Sequence, residues 1–326
     1  MSKLIKLFVI LLFSLNLNAQ NSSFFKPVSY GNAFVSDMRS PITKLQIGSI
    51  NKLDGNYYLN DVSKRLFVEA HFGYEIPFFE YQKNDFAVWA GMPGGAVTLV
   101  DMFEETTAPV INTDYWFGTK IKMIKRFSGK GYLKNIALTV LPLFHESTHI
   151  GDEFALHGYR EIPGFKRINV SYEAWKFSVI LNDPDTLSGN IFSVKAGIQN
   201  LWTLKDGYYF ADSSEVKGAE IPRSNKTFEW YFTANYKRTK GFLCSEKMIN
   251  ILSAELSSRP QFSYETGIPE RRIVSYNVYL GWEYKVSNKP LRNVGFFVRH
   301  YGGLNPYGQF RNNSGFRFTG VSVVLM

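Results

Sequence analysis

A single cysteine, Cys244, stands in a chain of 326 residues, so no intramolecular disulfide can form. Long apolar runs are equally scarce. Beyond the N-terminus no stretch approaches the ~20 residues a spanning helix needs, and the mean hydropathy of −0.16 excludes a chain made largely of such helices. Acidic residues are the minority, 28 against 37 Lys+Arg, for a net charge of +9. That excess is spread along the chain. Runs such as Lys120–Arg126 alternate with apolar residues, so no nucleic-acid partner is expected. What abounds is aromatic: 28 Phe, 19 Tyr and 6 Trp make 16% of the chain, which excludes a wholly disordered protein.

Lys3 and Lys6 precede an apolar stretch, Leu7–Leu17, interrupted only by Ser14 and Asn16. Leu17-Asn18-Ala19 then fits the small-residue cleavage rule. Residues 1–19 read as a secretory signal peptide, because the apolar stretch is too short for a ~30 Å hydrocarbon core. No cysteine follows it, so no acyl anchor is expected. Residues 20–326 read as one domain.

The recurring pattern in that domain is period two. Val68, Ala70, Phe72, Tyr74 and Ile76 alternate with Glu69, His71, Gly73 and Glu75, and the same rhythm returns around 192–202, 228–237 and 274–285. Successive side chains of a strand point to opposite faces, so each segment has an apolar face and a polar one. The segments exceed the ~5–6 residues of ordinary strands and match the ~9–11 of a membrane-spanning one. Strands are predicted near 43–50, 66–80, 86–103, 109–125, 132–149, 166–182, 190–203, 226–238, 242–257, 271–286, 292–302 and 314–326. The reading is all-β: a single antiparallel transmembrane β-barrel of about twelve strands in the cell outer membrane. Outer-membrane lipids and the barrel assembly machinery are the expected partners, the latter reading a last strand from Phe316 in which Met326 replaces a terminal aromatic.

The densest polar constellation is Phe144–Phe154, F-H-E-S-T-H-I-G-D-E-F, followed by Arg167–Glu173, R-I-N-V-S-Y-E. One reading is hydrolytic: Ser147 as nucleophile, His145 as base, and Asn169 or Glu173 orienting the imidazole. A His-x-Ser pair on a barrel strand, with a partner on the next, resembles the outer-membrane phospholipases and lipid A deacylases. In the phospholipases Asn-Gly follows, whereas here Thr148-His149 does. A second reading is metallic. His145-Glu146-x-x-His149 has the letters of a zinc-protease helix, but on a strand the two imidazoles lie ~13 Å apart. Calcium at Asp152 and Glu153 is the remaining metal option. The third reading is a polar filling of the barrel, with His149, Asp152, Glu153, Arg167 and Ser171 hydrogen-bonded around His145 and Ser147. The apolar parity of Ile168, Val170, Tyr172 and Ala174 points Asn169 and Glu173 inward, toward the lumen; it does not assign His145 and Ser147, whose parity Leu141 and Leu143 share and whose register Pro142 can shift.

Three stretches carry a family resemblance: Ile111–Tyr115 (I-N-T-D-Y), His145–Phe154 and Arg167–Glu173. In this order they resemble the I-N-A-D-Y, H-x-S-S-H-x-G-D-E-F and R-x-N-x-S-x-E of the bacterial family called domain of unknown function 1207. Ser36–Pro41 (S-D-M-R-S-P) resembles the family's A-D-P-R-x-P opening, and Asn305–Phe310 its late N-G-Q-F segment. Thr148 keeps the hydroxyl of the family's second Ser. The resemblance implies an envelope barrel and no reaction.

Overall fold

The structure is a computed structural model, described here for residues 22–24, 34–51, 66–102, 108–129, 131–151, 167–184, 189–209, 216–217, 228–239, 247–262, 269–285, 293–310 and 314–325. Twelve long strands make the wall. They are β1 (Thr43–Ile50), β2 (Leu66–Lys83), β3 (Phe86–Asp101), β4 (Val110–Arg126), β5 (Asn135–Ile150) and β6 (Arg167–Leu181). β7 (Ile191–Tyr209), β8 (Phe228–Arg238), β9 (Met248–Phe262), β10 (Pro269–Lys285), β11 (Asn293–Leu304) and β12 (Ser314–Leu325) complete it. Each pairs antiparallel with its sequence neighbours. The ring closes where β12 meets β1, from Phe318 opposite Ile50 to Leu325 opposite Thr43. Closure leaves no open edge among these twelve strands, so the ladder satisfies the backbone polar groups that a lipid environment cannot.

The two faces are inverted relative to a soluble protein. Phe72 is 62% exposed, Leu280 61% and Val321 59%, all on the outer surface. Their inward counterparts include the fully buried Glu69, His71 and Arg299. Such a chain puts its apolar stripe into lipid and its polar stripe into the lumen. The spanning elements are strands; among the described residues no helix is long and apolar enough to cross a membrane.

The connections sort by end. β1, β3, β5, β7, β9 and β11 end, and β2, β4, β6, β8, β10 and β12 begin, at one end, hereafter the loop end. At the other end β1 begins and β12 stops. The tightest, Asn84-Asp85, turns β2 into β3 with Asn84 at φ 52°, a conformation its short polar side chain tolerates.

The lumen is not empty. Residues 34–42 enter it ahead of β1. Val35 and Ile42 pack against Ile249, Ile251, Tyr279, Phe297 and Val324, while Phe34 packs against Ala87, Ile124, Ala137 and Ile180. Wall side chains hold the segment's backbone. Lys44 Nζ donates to the Val35 carbonyl at 2.6 Å, Asn277 Nδ2 to the Ser36 carbonyl at 2.6 Å, and the Ser36 and Ser253 hydroxyls meet at 2.8 Å. From the loop end, residues 305–310 fold inward to meet this segment, with Tyr307 fully buried.

Candidate functional site

Arg39 is the hub of the lumen. Its Nε donates to Glu146 Oε2 at 2.9 Å and its Nη2 to Glu146 Oε1 at 2.5 Å. Nη2 also reaches Asp114 Oδ2 at 3.3 Å and the Pro306 carbonyl at 3.2 Å. Four pieces of chain meet on one guanidinium: the lumen segment, β4, β5 and the infolded loop. Each carboxylate is satisfied further. Tyr172 donates to Glu146 at 2.7 Å, Asn112 to Asp114 at 2.9 Å, and the Gly308 amide to Asp114 at 3.1 Å. Burial works against the Arg39 charge, but Glu146 and then Asp114 more than offset it and raise its pKa well above the ordinary value.

Two further ion pairs pin the same pieces. Asp37 takes Lys195 Nζ at 2.6 Å and the Arg39 amide at 2.9 Å. Burial pushes the Asp37 carboxyl up, yet Lys195, by charge and hydrogen bond, pulls it net below the usual carboxylate range. Arg299, fully buried, donates from Nη1 to both Glu69 oxygens at 3.1 Å, and Tyr307 donates to the same carboxylate at 2.5 Å. Beside the segment a cavity of about 240 Å³ remains, bounded by Met38, Arg39 and Pro41 on one side and by strands β2 to β9 on the other.

The residues singled out by sequence lie elsewhere. Between Leu141 and Phe144 the β5–β6 register shifts, at Pro142, whose nitrogen cannot donate to the ladder. The bulge reverses the strand's parity, so Phe144, Glu146 and Thr148 are buried inward, each 1% exposed, and His145, Ser147 and His149 face outward. On β6 the apolar Val170, Tyr172 and Ala174 face inward as well, packed on Trp116 and Phe144. The expectation that Glu173 points to the lumen is therefore corrected, and His145 and Ser147, whose direction the sequence did not assign, share its outward face: near the loop end the lumen carries a packed apolar layer, and the polar stripe is outside.

On that outer surface the structure joins His145 Nδ1 to Glu173 Oε1 at 3.2 Å, and Ser147 Oγ to His149 Nε2 at 3.3 Å. Ser147 lies opposite Ser171 in register. The neighbouring strand adds aromatic rings, Phe117 at 5.1 Å from His145 and Tyr115 at 6.0 Å from His149. Asn169 and Arg167 open β6, but their side chains lie outside the described residues, as do Asp152 and Glu153 entirely. Among the described residues no group of three His, Cys, Asp or Glu is placed to hold a metal ion.

Sequence reasoning missed Arg39, Asn112, Asp114, Glu146 and Thr148. The signal was present inside the quoted motifs. Asn112 with Asp114, and Glu146 with Thr148, are acid-bearing pairs two residues apart, which puts each pair on one strand face. Their partner, Arg39, is the only cation of Ser36–Pro41.

Residues 51–194 match the model of the family described as protein of unknown function, DUF1207. That span contains the three motifs of β4, β5 and β6, so the resemblance they carry is shown there. No curated protein sequence matches the chain. Among solved structures, the chain is similar to outer membrane phospholipase A from Escherichia coli at 11% identity and a TM-score of 0.49, covering 89% of this chain and 92% of that one. The calcium-bound dimer of the outer membrane phospholipase of Salmonella typhi aligns at 12% identity and a TM-score of 0.47, over 91% and 96%. The translocator domain of autotransporter NalP from Neisseria meningitidis aligns at 10% identity and 0.42, over 87% and 86%.

Proposed function

We propose that this chain is an outer-membrane barrel closed by its own N-terminal segment, one that receives a small molecule in its lumen rather than passing an open stream of solutes. The observation that carries this reading is the Arg39 junction, which ties the segment to β4, β5 and the infolded loop at once. A wide open pore has no use for a buried cation whose partners come from so many elements. The apolar outer surface and the export signal of residues 1–19 support the location, with outer-membrane lipids around the barrel and the barrel assembly machinery inserting it. Planar-bilayer recording tests the closure. The native barrel is expected to be silent, with Arg39→Ala giving flickering current; a steady native conductance removes the proposal.

A second reading is a lipid ester hydrolase on the outer surface, favoured by the outward Ser147–His149 contact of 3.3 Å. In that reading His149 Nε2 takes the Ser147 hydroxyl proton as the oxygen attacks an ester carbonyl, and the His145–Glu173 pair lies one step along the same face. Asn169 is the further candidate for orienting an imidazole, and calcium at Asp152 and Glu153 is a candidate activator. Phospholipid hydrolysis by refolded protein, with and without calcium, decides it. Activity lost in Ser147→Ala and His149→Ala supports the hydrolase, and activity absent from the native protein or unchanged in Ser147→Ala ends it.

A further inference from the structure

The charges that line the cavity beside the lumen segment are largely spoken for. Lys195 is held by Asp37 and Lys122 by Asp183, each at 2.6 Å; Lys120 is held by Glu75, and Arg259 by the carbonyls of Leu304 and Asn305. Lys176 of β6 is different. Its Nζ sits 3.2 Å from the centre of the Phe144 ring, and no hydrogen-bond acceptor engages it among the described residues. The nearby carboxylates have other partners: Glu146 has Arg39 and Tyr172, Asp37 has Lys195, Glu229 has Gln199, and Glu255 has the Thr233 hydroxyl at 3.4 Å. Two more donors of the lining lack acceptors among the described residues, the buried indole N–H groups of Trp89 and Trp116. An indole N–H and an ammonium can only donate. The lining therefore holds three donors without an acceptor, and leaving a buried donor unsatisfied is costly.

From this surplus we infer that the cavity is a binding site for a small carboxylate with an aromatic or compact apolar body. Its carboxylate takes the place of the missing acceptor for Lys176, and its apolar part lies among Trp89, Trp116, Leu141, Pro41 and Pro93. Size agrees. An apolar cavity of about 150 Å³ suffices for benzene, so about 240 Å³ accommodates a ring bearing a carboxylate. A cationic ligand is disfavoured, because Lys176 would repel it and three of the five lining carboxylates, Asp37, Glu75 and Asp183, hold lysines of their own, while Glu229 and Glu255 accept from Gln199 and Thr233. A long chain or an oligomer does not fit the volume. The inference rests on the reading of a closed barrel that receives a small molecule, and it names the chemistry of that molecule.

The test is titration of the refolded full-length protein in detergent, followed by calorimetry and tryptophan fluorescence. Benzoate is compared with benzamide, its neutral near-isostere, and with benzylamine, its cationic counterpart. The expected result is benzoate binding that weakens by at least about tenfold in Lys176→Met and survives in Lys176→Arg, as for loss of a charge-assisted hydrogen bond. Benzamide binds more weakly than benzoate, and benzylamine does not compete. Equal benzoate affinity in the native protein and Lys176→Met overturns the site, as does no native binding up to about 10 mM, the weak limit of a useful affinity. Should Lys176→Met fail to refold, the ranking of the three ligands on the native barrel still decides, since benzylamine binding as tightly as benzoate refutes it. Bilayer silence is measured separately, so a closed barrel that ignores benzoate fails here alone, and a conducting barrel fails the parent reading alone.

Discussion

Arg39 of the lumen segment and Glu146 of β5 form a two-point fork, Nε to Oε2 at 2.9 Å and Nη2 to Oε1 at 2.5 Å, across 107 positions of sequence. The geometry needs a planar guanidinium, which lysine cannot supply. Arg39→Ala leaves Glu146 and Asp114 buried with their charges uncompensated, a loss of roughly 3–5 kcal/mol. Denaturant unfolding should show it, together with faster proteolysis of the released segment. Arg39→Lys should fall between the two. If Arg39→Ala unfolds at the native midpoint and the segment keeps its protection, the junction is not what holds the segment in the lumen.

Asp37 gives the closure a pH dependence. Its carboxyl titrates below its unfolded value because Lys195 overcomes the cost of burial. A depressed native pKa contributes stability above the unfolded pKa of about 3.9 and loses it as pH falls toward the native one. The stability gap between the native chain and Asp37→Asn should be full at neutral pH, hold down to about pH 4, and shrink below it. Thermal unfolding of both proteins across that range measures the gap, and a gap that widens with acidity contradicts the assigned ion pair.

Gly308 seats the infolded loop. A Cβ there would come within 2.9 Å of Thr148 Cβ and Cγ2, a distance real Cβ contacts do not show, while its amide donates to Asp114. Gly308→Ala should lift residues 305–310 off β5 at a cost of about 1–3 kcal/mol, the usual penalty of overpacking. Hydrogen exchange reads it directly. The Phe310 amide, bonded to the Tyr307 carbonyl at 3.0 Å, should exchange faster, and the β12–β1 seam should not change. Unaltered exchange at Phe310 would mean that the loop does not depend on this contact.

The strands were legible wherever one face meets lipid and the other does not. β1 and the alternating core of β10 follow the period-two signal closely. β7 runs to Tyr209, past its expected end near 203, because Leu204–Tyr209 (L-K-D-G-Y-Y) carries no alternation to read. The direction of the β5 cluster was not legible. It depends on one bulge at Pro142, and a one-residue slip turns every later side chain over. The lumen segment left no periodic trace either. Ser36–Pro41 acquires its meaning from partners far along the chain, such as Asp114, Glu146 and Asn277.

Trp175 marks where the outer surface changes character. Along the outward parity of β6, Ser171 and Glu173 precede it and Phe177, Val179 and Leu181 follow, the last of these 40% exposed. An indole is favoured at such a boundary, since its ring is apolar and its N–H is wet. The polar stripe of His145, Ser147, His149 and Glu173 would then lie at headgroup level, above the hydrocarbon. Reconstitution into lipids brominated near the headgroup or near the chain end tests this, with Trp175→Phe subtracted from the native signal. The Trp175 component should be quenched more by the shallow bromine than by the deep one. Stronger quenching by the deep bromine would place the polar stripe inside the hydrocarbon and make the His145–Glu173 pair an intramembrane one, a costly position that calls for a protein partner to cover it.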